Sequence, residues 1–184
     1  EHYVVGYVGV VLASLGLVTL PAHLASHREL GVLRRYRAAG LDSRAVIGSQ
    51  IALGAVLGTV ASAVVLVIGG LLYGVPTPDD PLAVMAWFVA GLLCFIAIGG
   101  ALGAVMPSSR AATAFGNLRL VPMFLLGGGG PPRQVMTGAM QTVSAVMPLS
   151  HLVGGLRLSW LVATDDPHAL WWPALVALIA IAVA

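Results

Sequence analysis

Residues 45–73 run for 29 positions without one Asp, Glu, Lys or Arg. Nothing else in the chain restricts its fold as much. A helix needs about 20 mostly apolar residues to cross roughly 30 Å of hydrocarbon. At the α-helical rise this run reaches about 43 Å, so as a membrane span it must tilt or project beyond the lipid. Four other stretches qualify or nearly do: Tyr3–Leu24, Leu82–Met106, Ala111–Leu126 and His168–Ala184, the last two being short. Within hydrocarbon every backbone N–H and C=O must pair internally, so each stretch predicts a helix. The alternation of barrel strands is absent. The expected fold class is an all-α integral membrane protein, with residues 1–184 forming one transmembrane domain. The fifth run stops mid-hydrophobic at Ala184 and the chain begins at Glu1 without Met. Both ends of a longer protein are therefore expected to be missing, and the start lacks the basic n-region of a signal peptide.

Charged residues make up 9% of the chain, where a soluble domain carries about 25%. That excludes a water-soluble globular enzyme. All nine basic residues are Arg, which removes a P-loop lysine and a Schiff-base lysine together. No catalytic site, metal site or cofactor is expected in this chain. A net charge of +2 with clustered Arg speaks for membrane topology and not for a nucleic-acid partner. Cys94 stands alone, so no disulfide forms within the chain.

Orientation follows the arginines. Arg28, Arg34, Arg35, Arg37 and Arg44 lie between the first two spans, and Arg110 lies in the turn after the third. Arg133 and Arg157 fall on the other side, with Asp79–Asp80 and Asp165–Asp166. The Arg-rich side is expected in the cytoplasm, with residue 1 outside and residue 184 inside.

The cytoplasmic segment has its own punctuation. Ser26-His27-Arg28-Glu29 fits a capping box, and Gly40 fits the left-handed residue that ends a helix. A surface helix over Ser26–Ala39 is expected, too short and too charged to span. On the other side, Gly127-Gly128-Gly129-Gly130-Pro131-Pro132 cannot continue a helix. Two pieces follow, Gln134–Met147 and Leu149–Trp160, broken at Pro148 and each short enough to be re-entrant or interfacial. The four glycines offer a hinge or close backbone approach.

Several patterns have a plain reading beside a functional one. Gly54-x-x-x-Gly58-x-x-x-Ser62 and Gly99-x-x-x-Gly103 suit either a subunit interface or packing within the chain, and the second is favoured. Arg119 lies about 13 Å past Arg110 along one helix. Either it lines a polar cavity or its helix starts later. Ser150-His151 lacks the surroundings of a nucleophile and its base, so His151 is taken as structural or interfacial. His23 and His27 have no second ligand cluster. Trp160, Trp171 and Trp172 read as interfacial anchors.

The order of elements and two motifs resemble the ABC-2 family of ATP-binding-cassette exporter permeases. The family's cytoplasmic pattern, Glu-x-Gly-x-Leu-x-x-Leu-Arg-Ala-Thr-Pro-Leu, is similar to residues 29–41. Glu29, Gly31, Leu33, Arg37, Ala38 and Leu41 match, whereas Tyr36, Ala39 and Gly40 depart from it. The family's Gly-x-x-x-Pro turn followed by Leu-Pro-Leu-Ser/Thr-His and Arg is similar to Gly127–Pro132, Met147–His151 and Arg157; its Pro-Trp near 138–140 is absent. The closest flavour is the daunorubicin-resistance-type permease of actinobacteria.

That resemblance implies six spans, of which five fall in this chain, with a cytoplasmic coupling helix and external re-entrant helices before the last span. It implies a bacterial inner-membrane exporter subunit working with a second permease subunit and a separate ATPase, where ATP and Mg bind. The coupling helix would dock the ATPase through Glu29, Gly31, Leu33, Arg34, Tyr36, Arg37 and Leu41, with arginines also meeting lipid phosphate. Gly127, Gly130, Pro131, Pro148 and His151 would form an external gate. Asn117 and Arg119 would line the pathway. The scarcity of fixed charge fits an apolar or amphipathic cargo such as a drug, polyketide, lipid or lipid-linked glycan. Two alternatives stay open: an ion-coupled secondary transporter or channel using Arg119, and an intramembrane hydrolase using Ser150 and His151.

Overall fold

The computed structural model describes residues 2–32, 43–74, 78, 80–127, 129 and 137–160. Among the described residues every regular element is helical. The chain opens with α1 (His2–Ser14), a π-helical turn (Leu15–Thr19) and α2 (Leu20–Glu29), which run on as one rod. Then follow α3 (Ser43–Tyr73), α4 (Pro81–Val105), α5 (Ser109–Leu126), α6 (Gly138–Val146) and α7 (Pro148–Trp160).

The breaks follow from local chemistry. Gly74 takes φ +59°, a left-handed position suited to glycine, and closes α3 with its N–H on the Gly70 carbonyl at 3.1 Å. Asp80 caps α4, its Oδ1 accepting from the Leu82 and Ala83 N–H groups at 3.1 Å each, with Pro81 in the first turn. Met106 and Met147 are both extended, as the residue before a proline prefers, and so end α4 and separate α6 from α7. Ser108 caps α5 by accepting from Ala111 N–H at 3.1 Å.

Among the described residues three helices are long and apolar enough to cross a membrane: Val4–Glu29, Gly48–Tyr73 and Pro81–Val105. Of the five expected spans, the fourth is the 18-residue α5, about 27 Å long. Arg110, Asn117 and Arg119 keep it below the apolar standard of the other three. The fifth, over 168–184, lies outside the described residues.

The first rod is the axis of the bundle. Its apolar stretch is 67% buried, against 44% for α4 and 17% for α3. It packs on α3, α4, α5 and α7, and the core gathers around Val5, Leu12, Leu17, Trp87, Phe95 and Leu152. Lipid tails are as apolar as leucine, so close packing and not water exclusion joins such helices. Gly54 and Gly58 of α3 lie against Leu15, Ile96, Leu92 and Leu12, which is packing within the chain, as favoured above. Gly103 likewise lies against Leu24.

One expectation at the rod's end is corrected. Ser26 does not start a helix, because α2 continues through it to Glu29. Its carbonyl accepts from the Leu30 N–H at 3.0 Å, and the left-handed break comes at Gly31, φ +65°. Contacts with α4 carry the rod past the local capping signal. Residues 33–42, including Gly40, lie outside the described residues.

Candidate functional site

The rod's last turn is tied to α4. The Arg28 guanidinium donates to the carbonyl oxygens of Gly103, at 3.1 Å, and Ala104. These are among the last carbonyls of α4, which have no partner inside their own helix, and a cation suits that end of the helix dipole. At the opposite end of α4, the Asp80 N–H meets the Ser159 carbonyl of α7 at 3.4 Å. Thus α4 is a strut joining the rod's end to the last turn of α7. Glu29 is exposed just beside this joint and Gly31 forms the turn beyond it. Leu33, Arg34, Tyr36, Arg37 and Leu41 lie outside the described residues.

Midway along the rod, Pro21 explains the π-helical turn. A proline has no N–H and its ring crowds the carbonyl four residues earlier. The wider turn relieves that crowding, with the Leu20 N–H reaching back five residues to the Leu15 carbonyl. Pro21 offers no donor to the carbonyl of Leu17, four residues back, or to that of Gly16, five back. Those two oxygens are met by other helices at glycine. Gly99 of α4 sits on the Gly16 carbonyl and Gly116 of α5 on the Leu17 carbonyl, so close that a Cβ at either glycine would collide with the oxygen. Such Cα–H···O approaches are weak individually, but here they let two backbones close on the rod at once.

On the far side, α7 is inserted into the bundle. Leu149, Leu152, Val153, Gly155 and Leu156 are all buried, and the Trp87 ring lies flat against Gly155, where a Cβ would overlap it. Pro148 opens this helix. Gly127, the residue that closes α5, is buried against Leu149. The Ser150 hydroxyl reaches the carbonyls of Met147, at 2.7 Å, and Ser144. Committed to backbone oxygens, it makes the hairpin between α6 and α7 and is not aimed at His151. The His151 Nδ1 is buried without a hydrogen-bond partner among the described residues. Gly130 and Pro131 lie outside the described residues.

Asn117 and Arg119 are exposed on α5, off the packed face of Ala112, Gly116 and Met123. The Arg119 guanidinium stands 4.2 Å from the centre of the Phe115 ring, one turn back. Among the described residues, neither is enclosed by the packed helices. Two features escaped the sequence reading altogether. Pro21 inside an apolar run was the available signal for the irregular turn. Nothing local marked Arg28 as a partner for residues 75 positions away.

A bundle of membrane-length helices around one buried rod, with a short helix inserted from one side, defines a multi-pass membrane protein. The comparisons give the family. Residues 3–161 match the model of the ABC-2 type transporter family, and the chain belongs to it. It is thus a transmembrane component of an ATP-binding-cassette transporter, a class that works with a separate ATPase and has no ATPase site of its own. Comparison with curated proteins gave no match, and comparison with solved structures gave none either.

Proposed function

We propose that this chain is the permease subunit of a bacterial plasma-membrane exporter, driven by an ATPase that docks on the segment following Glu29. The observation that carries the reading is the placement of the rod. A push at its Arg28 end reaches α3, α4, α5 and α7, because it touches all four, and the Arg28 latch passes the push directly to α4. In this reading the Arg-rich end faces the cytoplasm, and Glu29, Gly31, Leu33, Arg34, Tyr36, Arg37 and Leu41 form the coupling surface. The exposed face of α5, with Asn117 and Arg119, looks across the pathway toward a second permease subunit. Gly127, Gly130, Pro131, Pro148 and His151 gate the external exit around the inserted α7. The cargo is apolar or amphipathic, in keeping with the resemblance to daunorubicin-resistance-type permeases.

The test is uncoupling. An apolar anchor in a protein interface is typically worth about 2 kcal/mol or more, roughly thirtyfold in affinity. Leu33→Asp or Tyr36→Asp should therefore release the ATPase in pull-downs and abolish ATP-dependent export from inverted vesicles, while membrane insertion stays normal. Full coupled export by both variants would refute the docking surface.

A further inference from the structure

Arg119 stands at mid-depth of the bundle. Gly16 and Leu17 are the central pair of the apolar rod Val4–Glu29, and Gly116 of α5 rests on the Leu17 carbonyl. Arg119 follows one turn later, about 5 Å along its helix. A span is centred on the hydrocarbon it crosses, roughly 30 Å thick, so about 10 Å separate the Arg119 backbone from the nearer headgroups. A long basic side chain near the end of a span escapes by reaching for the interface. This one does the opposite. Its guanidinium lies 4.2 Å from the centre of the Phe115 ring, which precedes Gly116 in the chain, so the charge stays near the middle. It is exposed there, and among the described residues Phe115 is its only partner.

The Phe115 ring attracts the cation but accepts none of its N–H donors as an oxygen would. A charge left against hydrocarbon at this depth is costly, and such residues face water or a counter-charge. The chain brings no counter-charge to this level. None of its seven acidic residues falls within the five apolar runs; Glu29 ends the rod and Asp80 caps α4. A second copy of this chain would bring another Arg119 and no carboxylate. The anion must therefore come from outside the chain. Phe115, Pro122 and Leu126 share the Arg119 side of α5 by their spacing; Pro122 is exposed and the other two are half-buried. A cation beside an apolar strip is the complement of a molecule with an acidic group on an apolar body.

On the reading that the exposed surface of α5 borders the export pathway, we propose that the cargo is an acidic amphipath. Its anionic group pairs with Arg119, and its apolar body lies along Phe115, Pro122 and Leu126. A guanidinium meets a carboxylate, sulfonate or phosphate through paired charge-assisted hydrogen bonds, which are stronger where the surroundings are apolar. Arg119 thereby selects for negative charge in a pathway that otherwise offers only hydrocarbon walls.

Pyrenebutyrate and pyrenebutanol are matched probes, alike in apolar body and differing in a carboxylate. The intact transporter assembly in phosphatidylcholine nanodiscs, without nucleotide and at mildly alkaline pH, is titrated with each. Binding is read by fluorescence anisotropy against empty nanodiscs of the same lipid. Pyrenebutyrate should bind about tenfold more tightly, the worth of a charge-assisted hydrogen bond. Arg119→Gln and Arg119→Met should bring the two probes level, while Arg119→Lys keeps most of the difference because it keeps the charge. Replacing part of the lipid by phosphatidylglycerol should leave the preference in place, since its headgroups lie well away from this depth. Equal binding of the two probes to the unmodified assembly, or a preference that survives both neutral variants, would overturn the proposal. So would suppression by phosphatidylglycerol, which would make the arginine a holder of anionic lipid. No nucleotide enters these titrations, so a failure of ATPase docking, read from Leu33→Asp, is distinguishable from a failure of the acid site.

Discussion

Gly116 has no room for a methyl group, because a Cβ there would overlap the carbonyl oxygen of Leu17, a backbone atom that cannot swing aside. Gly100, on the neighbouring α4, has nothing within 4 Å of the same position. Alanine is favoured over glycine in a helix by about 1 kcal/mol, while overpacking costs about 1–3 kcal/mol. The two substitutions should therefore move stability in opposite directions. Gly116→Ala is expected to lose up to about 2 kcal/mol net, and Gly100→Ala to be neutral or slightly stabilising. Reversible unfolding from mixed micelles, followed by near-ultraviolet dichroism, decides between them. Equal behaviour of the two variants would mean that the α5 backbone does not rest on the π-helical turn. The difference originates near Pro21, which offers no N–H to the Gly16 and Leu17 carbonyls, the two oxygens that glycines of two other helices approach.

At the level of elements, α4 is held at both ends, by Arg28 at its C-terminal carbonyls and by α7 at its first turn. Hydrogen bonds from a charged donor are worth about 1.5–3 kcal/mol when buried, and this one is exposed, so about 1 kcal/mol is the reasonable figure. Arg28→Ala should then speed amide exchange in the last turn of α4, residues 102–106, by about fivefold. Arg28→Lys keeps the charge but loses the planar fork that spans two carbonyls, and should fall in between. Exchange unchanged in both variants would remove the latch from the account. The expected coupling segment illustrates the same competition between local and distant forces. Ser26 and Glu29 carry a good capping signal, yet Leu24 against Gly103 and Arg28 on α4 extend the rod through it.

For the whole molecule, family membership shows that the chain is a membrane component of an ABC transporter, a family that works in general with an ABC ATPase. The permease purified without its ATPase should show no ATP hydrolysis above an empty-membrane control, and ATP-dependent export should reappear only when that subunit is added back. ATP hydrolysis by the chain alone would contradict the assignment of its power source. The segment from Gly138 to Trp160 is split where its proline implied: α6 and α7 part at Pro148, and α7 is buried deeply enough to count as part of the bundle.

The membrane character of the chain, its helical class, the breaks at Gly74, Met106 and Met147, and the two family motifs were all readable without coordinates. Each depends on a local rule: hydrocarbon forbids unpaired backbone, and proline or glycine forbids continuation. Which helix lies at the centre was not readable. The stretch Gly48–Tyr73 has a mean hydropathy of 2.6 and is 17% buried, while Val4–Glu29 has 2.0 and is 67% buried. In water the buried helix would be the more apolar one, and an apolar stripe would show which face it hides. In lipid both faces are apolar whether they meet protein or tails, so that signal vanishes. Only the folded chain could decide that glycines of two other helices close on the Gly16 and Leu17 carbonyls, and that Arg28 finds α4.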